Sequence, residues 1–321
     1  MSTRWNEDVA LKGFEAATLR FADDYDGPVV ATLVRRLSPT ATHKAFLYIH
    51  GFVDYFFQEH LAEQCNGHGY NFYALELRKY GRSLGKAVHP NFAKDMSEYY
   101  EEITAALKII TEEDGNSAVV LNGHSTGGLL AALYANDGPL KARISAIILN
   151  SPFFDFNVAG RDRALLSVAA PLGKLFPHAS LPMTVPSVYA QSLLKSRSGE
   201  WEYDTRLKPE NGFPVYLGWL NAIRQAHRRV AAGLNIKAPA LVMHSDKSVV
   251  GKKWTEQHRA SDAVLNVEHI RKGAKRLGKN VVDVEIKDGL HDLTLSRPDV
   301  RQRVFAEMFG WLKSIESGGA D

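Results

Sequence analysis

Cysteine is almost missing from this chain. Cys65 is the only one among 321 residues, so no internal disulfide and no thiolate metal cluster can form, and nothing in the fold depends on an oxidising compartment. Cys65 itself reads as a small core residue. Long hydrophobic runs are missing as well: no uninterrupted apolar stretch approaches the ~20 residues of a membrane-spanning helix. From Met1 to Phe21 the sequence scatters Arg4, Glu7, Asp8, Lys12 and Glu15 along its length, which leaves no apolar segment for a signal peptide. A cytoplasmic location is therefore expected. Charge of one sign is also scarce, because 39 basic and 36 acidic residues leave a formal net charge of +3, and nothing there demands a nucleic-acid partner. The one basic bunch, Arg271, Lys272, Lys275, Arg276 and Lys279, reads as a solvated helix face, or as an anion-binding patch if the side chains share one face. The 12 histidines show no H-E-x-x-H pattern, and neither a phosphate-cradling Gly-x-x-x-x-Gly-Lys-Ser/Thr loop nor an early G-x-G-x-x-G occurs. Neither a metal nor a cofactor is expected.

What is present is the composition of an ordinary globular protein, 45% hydrophobic and 23% charged, with chain enough for a large core. Short apolar runs at Val29–Leu33, Ala45–Ile49, Phe72–Leu75, Ala118–Leu121, Ile144–Leu149, Ala240–Met243 and Val281–Ile286 predict strands. Several are unbroken, as strands buried on both faces require. Helical spacing over Phe92–Thr111, Gly127–Ala135 and Val300–Ile315 separates them, so the expected class is α/β with a mostly parallel central sheet flanked by helices. From about Asp155 to Ile236 no strand candidate appears. That stretch is read as a helical cap (155–236) inserted into a core made of residues 1–154 and 237–321.

The most informative local sequence runs from Val119 to Leu130, where an apolar strand enters Gly123-His124-Ser125-Thr126-Gly127 and then a helix pattern. This is the setting of a nucleophile elbow, in which flanking glycines permit a tight strand-to-helix reversal and Ser125 sits at the helix N-terminus. A serine hydroxyl is a weak nucleophile, so a base and a group that orients the base are needed downstream. Two turns that follow strands offer them. Asp246 lies in the polar turn that ends Ala240–Met243, after His244 and Ser245, and His291 follows Val281–Ile286 through the turn at Gly289. Asp155 is the rival acid, and Asp292 is expected to cap the segment after it. Oxyanion donors are expected from the backbone N–H groups of Thr126 and Phe52, and substrate contacts from His50, Gly51 and His124.

With these residues in hand, the chain resembles the monoacylglycerol lipase and lysophospholipase-like branch of the α/β-hydrolases, which overlaps the serine aminopeptidase-like hydrolases. The resemblance rests on His50-Gly51-Phe52, on Gly123 to Gly128, on the turn at Asp246 and on Gly289-Leu290-His291. It implies a carboxylic ester hydrolase acting through an acyl-enzyme on Ser125, with a lid over an acyl pocket and a small ester or lipid-like substrate. An amide, carbon–carbon or cofactor-free oxidative reaction on the same scaffold stays open, as does a silent receptor. The segment Glu76-Leu77-Arg78-Lys79-Tyr80-Gly81-Arg82-Ser83 departs from the family's Asp-x-Arg-Gly-x-Gly-x-Ser pattern by carrying Glu76 for Asp and Lys79 for Gly.

Overall fold

The computed structural model of the protein describes residues 2–158, 160–181, 187–251 and 253–318. The chain begins with β1 (Asn6–Glu7), β2 (Glu15–Asp24), β3 (Gly27–Arg36) and β4 (Lys44–Ile49), followed by α1 (Glu59–Gly67) and β5 (Asn71–Glu76). Next come α2 (Tyr100–Lys108), β6 (Ala118–His124), α3 (Thr126–Asp137) and β7 (Ile144–Asn150). After a long excursion the core resumes with β10 (Ala240–Ser245), α7 (Val267–Ala274), β11 (Val281–Ile286) and α8 (Pro298–Ser317). The excursion holds α4 (Gly160–Leu172), β8 (Ser180–Leu181), α5 (Ser187–Leu193), β9 (Val215–Tyr216) and α6 (Leu217–Ala232).

Nine strands form one sheet in the order β1-β2-β3-β5-β4-β6-β7-β10-β11. From β5 to β11 all neighbours are parallel, whereas β1 to β3 add an antiparallel edge. Alternation along the central strands explains their unbroken apolar sequences. Leu47, Ile49, Leu121, Ile147 and Val242 enter a core with α2, α3 and α7, while Phe46, Tyr48, Val120, Ile148 and Met243 enter a second core with α1 and α8. Both faces of the sheet's centre are therefore dry, which is why the middles of β4, β5, β7 and β10 carry apolar side chains. Cys65 lies in the second core, fully buried.

The sheet carries a strand that the sequence concealed. β2 reads Glu-Ala-Ala-Thr-Leu-Arg-Phe-Ala-Asp-Asp and exposes much of one side, so its charges masked the hairpin it makes with β3. The excursion likewise contains the two-residue ladder of β8 with β9, where only helices were expected. Lys79, standing where the related pattern has glycine, has φ 63, a left-handed backbone that side chains rarely adopt. Its ammonium reaches Asp26 Oδ2 at 2.6 Å and Asp24 Oδ2 at 3.0 Å, contacts that offset the strain.

Two histidines, His50 and His227, are sealed inside the fold, and a third, His60, is half-buried. His50 is held by Gly51 O and Leu77 N, His60 by Thr294 O and His227 by Phe153 O. Burial pushes each of their pKa values down to about 4. The unfolded chain, with histidines near 6.5, takes up protons at mildly acid pH that the folded chain refuses. The stability each neutral ring contributes is complete above pH ~6.5 and is lost as pH falls toward ~4, by up to about 1.4 kcal/mol per pH unit for each ring. Urea denaturation at stepped pH is expected to show stability dropping steeply over this window, with a shallower drop in His60→Gln; a flat profile would contradict the burial argument.

Candidate active site

β6 ends at His124 and α3 begins at Thr126, so Ser125 alone turns the chain, at φ 53 and ψ −115. Such a backbone is costly for a residue with a side chain and persists only where neighbours over-determine it. Here the Ser125 N–H donates to Asn150 O at 3.0 Å, and the Ser125 carbonyl accepts from Leu129 N and Phe153 N, each at 3.0 Å. Gly127 is required for the turn to seat: a Cβ there would lie 2.3 Å from His50 O and 2.4 Å from Ile49 O. The elbow is thereby wedged against the carboxyl end of β4.

The Ser125 hydroxyl meets His291 Nε2 at 3.0 Å, and His291 Nδ1 lies 2.9 Å from Asp262 Oδ2. All three side chains are buried. An ionised carboxylate only accepts, which assigns the proton to Nδ1 and leaves Nε2 to accept from the serine. The second oxygen of Asp262 accepts from Val264 N at 2.8 Å and Leu265 N at 2.7 Å, so the carboxylate is fixed on both sides. Its main chain pairs with the segment following β10, through Asp262 N to Lys247 O and Val249 N to Asp262 O, each at 2.9 Å.

The expected acid, Asp246, does not meet His291. Its Oδ1 accepts from Asp288 N at 2.7 Å, and Lys247 lies 3.3 Å from its Oδ2. Asp246 thus ties the end of β10 to the turn that leads into His291, and the chain travels on to Asp262 before returning to the imidazole. Sequence reasoning missed Asp262 because backbone pairing makes that return. The one local cue was the run Ser261-Asp262-Ala263-Val264, in which an aspartate takes the N–H groups two and three residues on. Asp155, the rival, pairs with Arg163 at 2.7 Å, away from the imidazole. Asp292 caps the turn after it by accepting from Thr294 N at 3.0 Å.

The loop after β4 lies directly on the elbow, since a Cβ on Gly51 would stand 3.2 Å from Ser125 Cβ. Phe52 and Thr126 both border the cavity at Ser125. Thr126, as the first residue of α3, has no intrahelical acceptor for its N–H, and Phe52 N–H meets no acceptor among the described residues. His50, expected to touch substrate, does not border the cavity. Leu77 N–H donates to its Nε2 at 3.1 Å, so Nδ1 carries the proton and donates to Gly51 O at 2.8 Å. His50 therefore braces the loop from behind, packed on Tyr80, and Gly51, also expected to touch substrate, does not border the cavity either, whereas His124 does.

Behind Ser125 is a buried charged group. Lys208 Nζ, from the excursion, sits 2.5 Å from Asp54 Oδ1, while Asp54 Oδ2 accepts from Gly51 N at 3.3 Å. Burial alone would raise the Asp54 carboxyl, but Lys208 and His124 hold it well below the usual carboxylate range. His124 Nδ1 lies 3.4 Å from Asp54 Oδ2 and 4.0 Å from Asp292 Oδ2. These three side chains have the donor types of a metal site. The two carboxylates are already engaged, since Lys208 supplies the cation at Asp54 and Asp292 accepts from Asn150, Thr294 and Gln58, whereas both ring nitrogens of His124 are buried without a hydrogen-bond partner among the described residues. Asp26, His89 and His178 form a second such group, where Lys79 again occupies the carboxylate. Breaking a buried pair strands the other charge, so Lys208→Met is expected to cost about 3 kcal/mol in urea denaturation; an unchanged midpoint would mean that Asp54 does not need the lysine.

A cavity of about 280 Å³ opens over Ser125 and His291. Phe52, Val53 and Phe153 from the core face Tyr189, Trp219 and Leu220 from the excursion, so the walls are chiefly apolar and are built by both parts of the chain. Phe52 and Trp219 stack with ring centres 4.2 Å apart, closing one side.

Residues 40–289 match the family model described as serine aminopeptidase, S33. The chain is 26% identical to a monoacylglycerol lipase of Mycolicibacterium smegmatis over 257 residues, 79% of this chain and 82% of that one. Among solved structures it is similar to a soluble variant of the monoglyceride lipase of Saccharomyces cerevisiae, with TM-score 0.67, 16% identity and coverage of 92% and 94% of the two chains. It is also similar to the monoacylglycerol lipase of Paleococcus ferrophilus, with TM-score 0.64, 19% identity and coverage of 89% and 98%. A mostly parallel sheet with helices on both faces, a serine on a left-handed turn between strand and helix, and a match spanning most of the sequence lead to one assignment: the chain has the α/β-hydrolase fold and belongs to the serine aminopeptidase S33 family.

Proposed function

We propose that the protein is a carboxylic ester hydrolase that works through an acyl-enzyme on Ser125, with His291 as general base and Asp262 as the group that orients it. The observation that carries this reading is the unbroken contact from Ser125 Oγ to His291 Nε2 and from Nδ1 to Asp262, at 3.0 and 2.9 Å inside a buried site. In the reaction, Ser125 Oγ attacks the ester carbonyl while its proton passes to Nε2. Asp262 stabilises the imidazolium that results. The oxyanion is received by the N–H groups of Phe52 and Thr126, with the positive end of α3 behind it. His291 then returns the proton to the leaving alcohol, and a water activated by the same nitrogen releases the acid.

The chiefly apolar walls support an acyl chain, and the volume lies near the lower end of the ~300–1,000 Å³ seen for small-molecule sites. A monoacylglycerol or a comparably small lipid-like ester suits both properties, and the monoacylglycerol lipase relative points the same way. In this reading residues 155–236 act as the cap. Its helix α4 presents Leu165, Val168 and Leu172 to the outside, a surface compatible with an apolar substrate. No described helix is long and apolar enough to cross a membrane.

Two kinetic outcomes follow. Asp262→Asn is expected to lower kcat by roughly 10⁴, as loss of the orienting carboxylate does in other triads, whereas Asp246→Asn retains turnover within about tenfold and lowers the melting temperature. The reverse ranking, measured with p-nitrophenyl esters, would return the role to Asp246. In a series of monoacylglycerols of rising chain length, kcat/KM is expected to peak at a short or medium acyl chain and to vanish in Ser125→Ala. Retained turnover in that variant would overturn the serine mechanism.

A further inference from the structure

Back to back with the substrate cavity lies a second one, of about 420 Å³, at the seam where α4 and α6 meet α7. The two cavities share Phe156 and Val158 as a wall. Its rim is cationic: Arg163 from α4, Arg224 and Arg228 from α6, Lys272 from α7 and Arg276 just beyond it, opposed by the single carboxylate of Asp155. Five cations against one anion leave this concavity with a local surplus larger than the +3 of the whole chain. Fields are focused in such places.

The local pairing leaves most of that charge unspent. Arg163 takes Asp155 at 2.7 Å, and Arg224 donates to Ser167 O at 2.6 Å. Arg228, Lys272 and Arg276 meet no carboxylate at ion-pair distance among the described residues. His269 Nδ1 is buried without a hydrogen-bond partner, 3.9 Å from Asp155 Oδ2. Of the basic bunch noted in the sequence, Lys272 and Arg276 border this cavity, while Arg271 is diverted to Glu268 and Glu285. The floor is apolar, formed by Phe154, Leu166 and Val230.

We propose that this cavity binds a small multivalent oxyanion, a phosphoryl group carried on an organic body that rests on the apolar floor. Guanidinium forks match phosphoryl oxygens two at a time, and a lysine and a neutral imidazole add single donors from the facing helix. The site stands independently of the hydrolase reading, because none of its cations touches the Ser125 cavity. Position gives it a link to the elbow all the same. His227, on its wall, holds Phe153 O at 2.8 Å, and Phe153 N donates to the Ser125 carbonyl at 3.0 Å.

Titration calorimetry of the full chain at low ionic strength, with pyrophosphate as the probe, is expected to give one-to-one binding that weakens as salt is added. The double variant Arg228→Ala/Arg276→Ala is expected to lose affinity about tenfold or more, while Arg228→Lys/Arg276→Lys, which keeps the charge, loses less. Sedimentation with phosphatidylglycerol vesicles separates the sources of the phosphoryl group: alanine-sensitive binding to pyrophosphate assigns a free ligand, and alanine-sensitive binding to vesicles alone assigns a lipid headgroup. Absence of binding to both probes, or binding that the alanine pair leaves unchanged while the melting temperature stays that of the parent, overturns the proposal.

Discussion

The site depends on one strained residue. Ser125 must hold a left-handed backbone so that its hydroxyl stands clear of both β6 and α3, and three backbone hydrogen bonds to β7, α3 and the loop after β7 keep it there. Everything else is arranged around that turn. Gly127 lets it press on the end of β4, and the same contact sets the loop carrying Phe52 beside Ser125. The parallel sheet supplies the rigidity, since β4, β6, β7, β10 and β11 end on one side and deliver their following loops to one place.

The parts of this arrangement that were legible in the sequence are those written in local chemistry. Unbroken apolar runs marked the central strands because both faces of the sheet are covered, and the glycine-flanked serine between a strand and a helix marked the elbow. His291 was legible for the same reason, following a strand and a turn. β2 was not, because it lies toward the sheet edge and its exposed side carries charge, which erased the apolar signal.

Asp262 shows where local reading stops. Two aspartates follow β10, and the nearer one, Asp246, has the position that a strand-end rule favours. The choice between them is made by backbone pairing of residues 247–249 with Asp262, which folds the intervening loop back beneath the imidazole. That pairing uses main-chain groups, so no side-chain pattern announces it. Asp246 still has a structural part, holding the turn at Asp288 that aims His291. The excursion between β7 and β10 was the least readable region for a related reason: its apolar residues serve helix packing and cavity walls alike, and Lys208, which reaches through to Asp54 beneath the loop after β4, is one lysine among many until its burial is seen.

The central claim is that one serine, activated by the Asp262–His291 pair, is the nucleophile. Treatment with a fluorophosphonate followed by peptide mass spectrometry tests it most directly. The account predicts a single adduct on Ser125, formed rapidly in the parent and in Asp246→Asn but slowly in Asp262→Asn. An adduct on another residue, or equal labelling rates in the parent and Asp262→Asn, would contradict it.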